Sequence, residues 1–266
     1  MDSEQVSWIL FEVANDLILP RFGAVPSTQE IEVKTRPGDI ATAADREGER
    51  EIARRLRAEY PDAVIVGEES VYSNPRLLDG YAEAEHAFVI DPLDGTLNFT
   101  RESTDFGVMV AEIKKGVTTR GWIYHPMYRT IWVAEKGAGV TRNGQPVSYQ
   151  RPERDGLIGA TYIPFKLEGE LPAHLRRTWG SCAIDYPKLI EGEVDFLAYR
   201  SMFPWDHLPG ALMVTELGGF TAVEDGTPWA AGVQGKRLMS AMTPENWHEA
   251  DRLLEVSNLY GPGTGK

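Results

Sequence analysis

The chain has 266 residues, 42% of them hydrophobic, enough to bury a substantial core as one large domain or two smaller halves. Its formal charge of −13, from 27 basic and 40 acidic residues, argues against nucleic-acid or anionic-membrane binding, both of which need a basic footprint. The single cysteine, Cys182, excludes an intramolecular disulfide framework, and neither a signal peptide nor an apolar run of ~18–20 residues is apparent, so the reading is cytoplasmic.

Apolar residues at helical spacing over 4–20 (Val6, Ile9, Leu10, Val13, Leu17) predict a first amphipathic helix. Residues 33–39, with the breakers Pro37 and Gly38, read as a polar loop. A second helix is expected over 46–59, with Ile52, Leu56 and Tyr60 on one face and Pro61 stopping it. Residues 63–66, running into Gly67, and 87–90, running into Asp91, are short continuous apolar runs typical of strands covered on both faces. Further strands are expected at 107–113, 118–124 and 130–134, and Asn143-Gly144 should turn a hairpin between 139–142 and 145–148. Residues 150–156 are the candidate boundary between an N-terminal half, 1–150, and a C-terminal half, 151–266. The second half predicts a strand over 157–162, a helix over 182–191, a strand over 194–199 and a helix over 206–217 closed by Gly218-Gly219. The tail, 261–266, reads as disordered.

Three acidic stretches share one chemistry: Gly67-Glu68-Glu69-Ser70, Asp91-Pro92-Leu93-Asp94-Gly95-Thr96 and Trp205-Asp206. No Lys or Arg occurs within 58–75, 77–100 or 201–235. Carboxylates held together without basic partners repel by about 4 kcal/mol per close pair at an effective dielectric near 20. Bound divalent metal is the usual relief, and hard cations such as Mg²⁺ take oxygen ligands. In the second stretch a strand ends at Asp91, a tight turn returns Asp94 beside it, and Gly95-Thr96 opens a short helix whose N-terminus favours an anion. Each stretch also has a plainer reading. Asp91 to Asp94 fits an Asp-Pro turn with an Asp cap, Glu68 and Glu69 fit solvated loop acids, and Asp206 and Asp45 fit helix N-caps. The five histidines show no metal-ligand spacing, which argues against Zn²⁺ hydrolysis.

In order, Asp39-Ile40-Ala41-Thr42-Ala43-Ala44-Asp45, the two longer acidic motifs, and Trp205-Asp206 followed by Gly210 resemble the inositol monophosphatase family, over nearly the whole chain. The resemblance implies a layered α-β-α-β-α sandwich of mixed α/β class and commonly a homodimer. It implies two or three Mg²⁺ per site, with Mn²⁺ as a substitute. Glu68, Asp91, Asp94 and the Leu93 carbonyl would hold one metal, and Asp91, Asp94 and Asp206 another. Gly95 and Thr96 would bind phosphate through backbone N–H groups. Asp45 and Thr96 would position the attacking water, with Lys34 beside it and Glu69 supporting from outside. The implied reaction is hydrolysis of a small phosphomonoester by activated water without a phospho-enzyme, and lithium sensitivity is a family property.

Gly180-Ser181-Cys182-Ala183 fits the small-residue segment lining the family's sugar pocket. Where inositol phosphatases place a hydroxyl-binding Glu, this chain has Tyr199, followed by Arg200, and Phe203 stands where His is frequent. These changes predict a pocket suited to a ring or an apolar face, with Arg200 available for a second phosphate or a carboxylate. Histidinol phosphate, 3′-phosphoadenosine 5′-phosphate and fructose 1,6-bisphosphate are therefore alternatives to inositol phosphate. A non-catalytic binding protein on the same fold and a metal-dependent nuclease are the rivals from other classes.

Overall fold

The computed structural model describes residues 1–23, 32–33, 40–162 and 174–256. Lys34, the remainder of the expected 33–39 loop after Val33, and the 261–266 tail lie outside the described residues. Helix α1 (Ser3–Val13) begins at Asp2, whose side chain accepts the Gln5 N–H while the Gln5 side chain accepts the Asp2 N–H. It buries Val6, Ile9, Leu10 and Val13, then continues as a wider turn (Ala14–Ile18) and a tighter one (Leu19–Arg21). Two short strands, β1 (Glu32–Val33) and β2 (Ile40–Ala41), pair antiparallel ahead of α2 (Ala43–Glu59).

Helix α2 starts earlier than its apolar spacing predicts, and the cap explains the difference. Thr42, not Asp45, is the N-cap: its Oγ1 accepts the Ala44 N–H at 3.1 Å, while Thr42 N–H donates to the Asp45 carboxylate at 2.7 Å. Asp45 is thus the third helical residue, its other oxygen free to point elsewhere.

The first sheet has seven strands in sequential order: β3 (Val64–Gly67), β4 (Ala87–Asp94), β5 (Gly107–Lys114), β6 (Val117–His125), β7 (Thr130–Glu135), β8 (Gly139–Arg142) and β9 (Gln145–Pro146). Only β3 and β4 pair in parallel. Short helices α3 (Glu68–Ser73) and α4 (Thr96–Thr100) follow β3 and β4 directly. The second sheet contains β10 (Gly159–Thr161), β11 (Leu175–Arg177), β12 (Phe196–Tyr199), β13 (Phe220–Val223) and β14 (Leu238–Ala241), in the order β11-β10-β12-β14-β13. Helix α5 (Cys182–Ile190) precedes β12, α6 (Pro204–Glu216) follows it, and α7 (Pro244–Val256) ends the described chain.

Strand periodicity sets the layers. Phe88 and Ile90 of β4 face the core made with α1 and α2, while Ala87 and Val89 face the opposite core with Trp205, Leu208 and Ala211 of α6. Helices α5 and α6 lie between the sheets, touching both, and α7 covers the far face of the second sheet. The result is the expected α-β-α-β-α sandwich. Because α6 is covered by a sheet on each side, it is apolar nearly all round, and the one acidic residue in its first turn is conspicuous: Asp206. The plainer reading made that residue an N-cap. The helix instead begins at Pro204, a preferred first position, which makes Asp206 its third residue. No described helix is long and apolar enough to cross a membrane.

Candidate active site

Strand β4 delivers the central acids. Its pairing with β5 shifts between Asp91 and Asp94, and the Leu93 N–H donates to Asp91 Oδ1 at 3.0 Å, so the strand end folds into a compact turn. Gly95 completes the turn at φ +88, and a Cβ there would lie 2.9 Å from the Asp105 carbonyl. Asp94 is then fixed from α5: the Ser181 hydroxyl and the Ala183 N–H both donate to its Oδ2 at 2.5 Å. Asp206 arrives on α6. One carboxylate oxygen from each of Asp91, Asp94 and Asp206 falls within 4.8 Å of the others.

Glu68 enters from β3 through a separate support. Glu49 on α2 accepts the N–H of Glu69 at 2.7 Å and of Ser70 at 3.1 Å, and also the Ser70 hydroxyl, which pins the start of α3. Asp45 lies one helical turn before Glu49 on the same buried face. Its Oδ1 is 2.8 Å from Thr96 Oγ1, which is also 3.0 Å from the Leu93 carbonyl. Thr96 has one hydroxyl proton, so it donates to one of these acceptors at a time.

The electrostatics agree with convergence of like charges. Burial, and secondarily the Glu68 charge, hold the Asp45 carboxyl up at about 6 against the Thr42 and Thr96 bonds. Burial likewise raises Asp94 to about 6, with the Glu68 charge adding to it. Glu68, Asp91, Asp94 and Asp206 share the wall of one cavity of about 360 Å³ with Leu93, Gly95, Thr96 and Gly180.

Several expected pocket residues sit elsewhere. Tyr199 does not reach the cavity wall; it is buried, and its hydroxyl donates to Asp185 Oδ2 at 2.6 Å. A buried acid partner in α5, invisible in the local sequence, turns it inward. Ser181 and Cys182 lie behind the wall, the first bonded to Asp94 and the second buried, with burial pushing its thiol well up. Arg200 is exposed and outside the wall, and Phe203 stacks on Trp205 with ring centroids 5.1 Å apart. Glu69 is buried, its N–H held by Glu49.

The sequence reading missed Glu49, Asp185, Asn98, Arg101 and Arg177. Glu49 had a signal: it shares the face of Asp45, Ile52 and Leu56, where a solvated acid does not belong. Arg101 and Arg177 line the cavity opposite in charge to the acids, and Asn98 Nδ2 ties its floor to the Trp179 and Asp105 carbonyls at 2.8 and 2.7 Å. Asp185 also accepts the Trp179 N–H at 2.8 Å, so it anchors the wall-forming 178–180 segment.

Burial raises the Asp185 carboxyl from 3.8 to about 8, so between those limits the folded state holds a proton that the unfolded chain releases. This contribution to stability is complete below pH 4 and is lost as pH rises through about 8. Asp185→Asn, an isostere of the protonated acid, should therefore flatten the fall in Tm between pH 6 and 9. An unchanged pH slope would show that Asp185 titrates normally.

The fold and these motifs define a known class. Residues 2–258 match the family model described as the inositol monophosphatase family, and the chain belongs to that family. It is 29% identical over 226 residues to a fructose-1,6-bisphosphatase/inositol-1-monophosphatase of Thermotoga maritima, covering 82% of this chain and 84% of the relative. It is 34% identical over 198 residues to the Nus factor SuhB of Escherichia coli strain K12, covering 69% of this chain and 72% of that one. Among solved structures, a Thermotoga maritima inositol monophosphatase superposes with TM-score 0.81 at 25% identity over 98% of this chain and all of its own. An IMPase/NADP phosphatase complexed with Mg²⁺ and phosphate shares the fold, with TM-score 0.75 at 17% identity, over 98% of this chain and 95% of its own.

Proposed function

We propose that the protein is a Mg²⁺-dependent phosphomonoesterase acting on a small phosphorylated metabolite. The observation that carries this reading is the approach of Asp91, Asp94 and Asp206 oxygens to within 4.8 Å, on the wall of a small-ligand-sized cavity that Glu68 also lines. An all-oxygen donor set of this kind fits a hard divalent cation. Glu68, Asp91, Asp94, Asp206 and the Leu93 carbonyl would hold the metal. When bound, Mg²⁺ supplies charge neutralisation for the phosphoryl group and acidifies water.

The chain's own residues do the rest. With the Thr96 proton donated to Asp45, the Thr96 oxygen presents a lone pair that accepts from, and so aims, the attacking water. Asp45 is the buried acceptor at the end of that relay. Gly95 and Thr96 N–H groups would hold the phosphate oxygens, with Lys34 as a further candidate beside the water. Arg101 and Arg177 answer a problem set by the charge of −13, since an anionic substrate needs local cations to enter. Replacing both by Ala should raise KM about tenfold, equivalent to about 1.4 kcal/mol, with kcat little changed. An unchanged KM would remove them from substrate binding.

Release of phosphate from a panel of phosphomonoesters, with and without Mg²⁺, tests the assignment. A homodimer, lithium inhibition and a cytoplasmic location belong to the same proposal through the family. A second reading, a binding role without catalysis, is favoured by the relative named as a Nus factor. Lack of turnover on every substrate in the panel would favour it.

A further inference from the structure

Beside the oxygen cluster lies a donor set of different character. Cys182 opens α5 and His207 follows Asp206 in α6, and one ligand atom from each of Cys182, Asp206 and His207 lies within 4.8 Å of the other two. Cys182 Sγ and His207 Nδ1 are 3.9 Å apart. His207 Nε2 is 3.1 Å from the Ser201 carbonyl, which only accepts, so Nε2 carries the proton and Nδ1 presents its lone pair. A backbone carbonyl orienting the far ring nitrogen is how metal-binding imidazoles are held. The Tyr186 hydroxyl lies 3.2 Å from Nδ1 and would have to turn away as a metal binds.

We propose that Cys182 Sγ, His207 Nδ1 and an Asp206 carboxylate oxygen form a second metal site, selective for borderline or soft divalent cations of the Zn²⁺ or Cd²⁺ type. The donor chemistry separates it from the neighbouring cluster. Sulfur and imidazole nitrogen suit these ions, whereas Asp91 and Asp94 offer oxygen alone. Thiolate plus carboxylate neutralise a divalent charge, so the buried centre carries no net charge. Tetrahedral Zn²⁺ with ordinary bond lengths places sulfur and nitrogen about 3.6 Å apart, a few tenths of an ångström closer than here. On binding, the Cys182 S–H proton passes to solvent as the metal–sulfur bond forms; nothing is oxidised or reduced. Because Asp206 belongs to both sets, an ion held here withdraws a carboxylate from the oxygen cluster and competes with Mg²⁺. The inference rests on the phosphatase reading only through that shared residue.

Cys182 is the only cysteine of the chain, so any thiolate-to-metal charge-transfer absorption reports this position alone. Titration of the metal-free protein with Cd²⁺, and with Co²⁺ as a coloured stand-in for Zn²⁺, should develop such a band at one equivalent. Cys182→Ser should abolish the band, His207→Gln should weaken the ion at least ~10-fold, and excess Mg²⁺ should raise the Cd²⁺ needed severalfold. No band at saturating Cd²⁺ in the wild-type protein would overturn the site. So would a band whose titration is unaltered by His207→Gln and by Mg²⁺, because that behaviour belongs to an isolated thiolate. If the serine variant does not fold, the wild-type and His207→Gln titrations decide the matter. The spectrum is independent of turnover: an inactive protein that shows the band keeps this inference and loses the phosphatase reading.

Discussion

Asp94→Asn should lower Mg²⁺-dependent phosphate release by at least ~10² while leaving the protein folded. The reason lies in the side chain's divided duty. Its Oδ2 accepts from the Ser181 hydroxyl and the Ala183 N–H, and an asparagine oxygen can keep both bonds. The amide NH₂ must then replace Oδ1, presenting donors and no charge to the shared oxygen cluster with Asp91 and Asp206. In the absence of metal the variant should melt no lower than wild type, since a raised carboxyl beside Glu68 has been removed. Turnover at the wild-type level would contradict the metal assignment, and loss of the circular-dichroism melt would mean that the effect is structural.

Gly210→Ala should lower the stability of the fold. A Cβ at Gly210 would lie 2.1 Å from Cγ of Tyr186, far inside van der Waals contact. Tyr186 cannot yield easily: it is fully buried between α5 and α6, and its hydroxyl is 3.2 Å from His207 Nδ1. Overpacking of this kind costs about 1–3 kcal/mol. Alanine's better helix propensity offers up to about 1 kcal/mol in return, so the clash should win. A net loss of about 1 kcal/mol corresponds to roughly 2–4 °C in Tm for a chain of this size. A Tm equal to or above wild type would mean that the two helices can separate at Gly210 without penalty.

The same close approach shows what could be read beforehand and what could not. Local signals were strong where one element explains itself. The apolar runs into Gly67 and Asp91 became parallel neighbours, and Asn143-Gly144 turned its hairpin. The layered sandwich followed from the resemblance to the family that the motifs carry. Errors came where a side chain answers to a distant partner. Thr42 took the cap that the plainer reading gave to Asp45, which left Asp45 for Thr96, a residue 51 positions away. Tyr199 was read as a pocket residue because it stands where inositol phosphatases place a hydroxyl-binding Glu, yet Asp185 draws it into the core. Tyr199→Glu should therefore destabilise the protein by placing a second acid beside Asp185, without opening the cavity to inositol phosphates. A wild-type melt with a changed substrate preference would return Tyr199 to the pocket wall. Arg101 and Arg177 meet at the cavity only through the fold, one after α4 and the other at the end of β11, so no spacing could announce them.

Crystals grown with Mn²⁺ and inorganic phosphate, measured for anomalous scattering, bear most directly on whether these acids exist to hold cations. Anomalous peaks should appear among Glu68, Asp91, Asp94 and Asp206, with phosphate against Gly95 and Thr96. Well-ordered carboxylates with no anomalous density between them at saturating Mn²⁺ would contradict the metal-dependent reaction at its root.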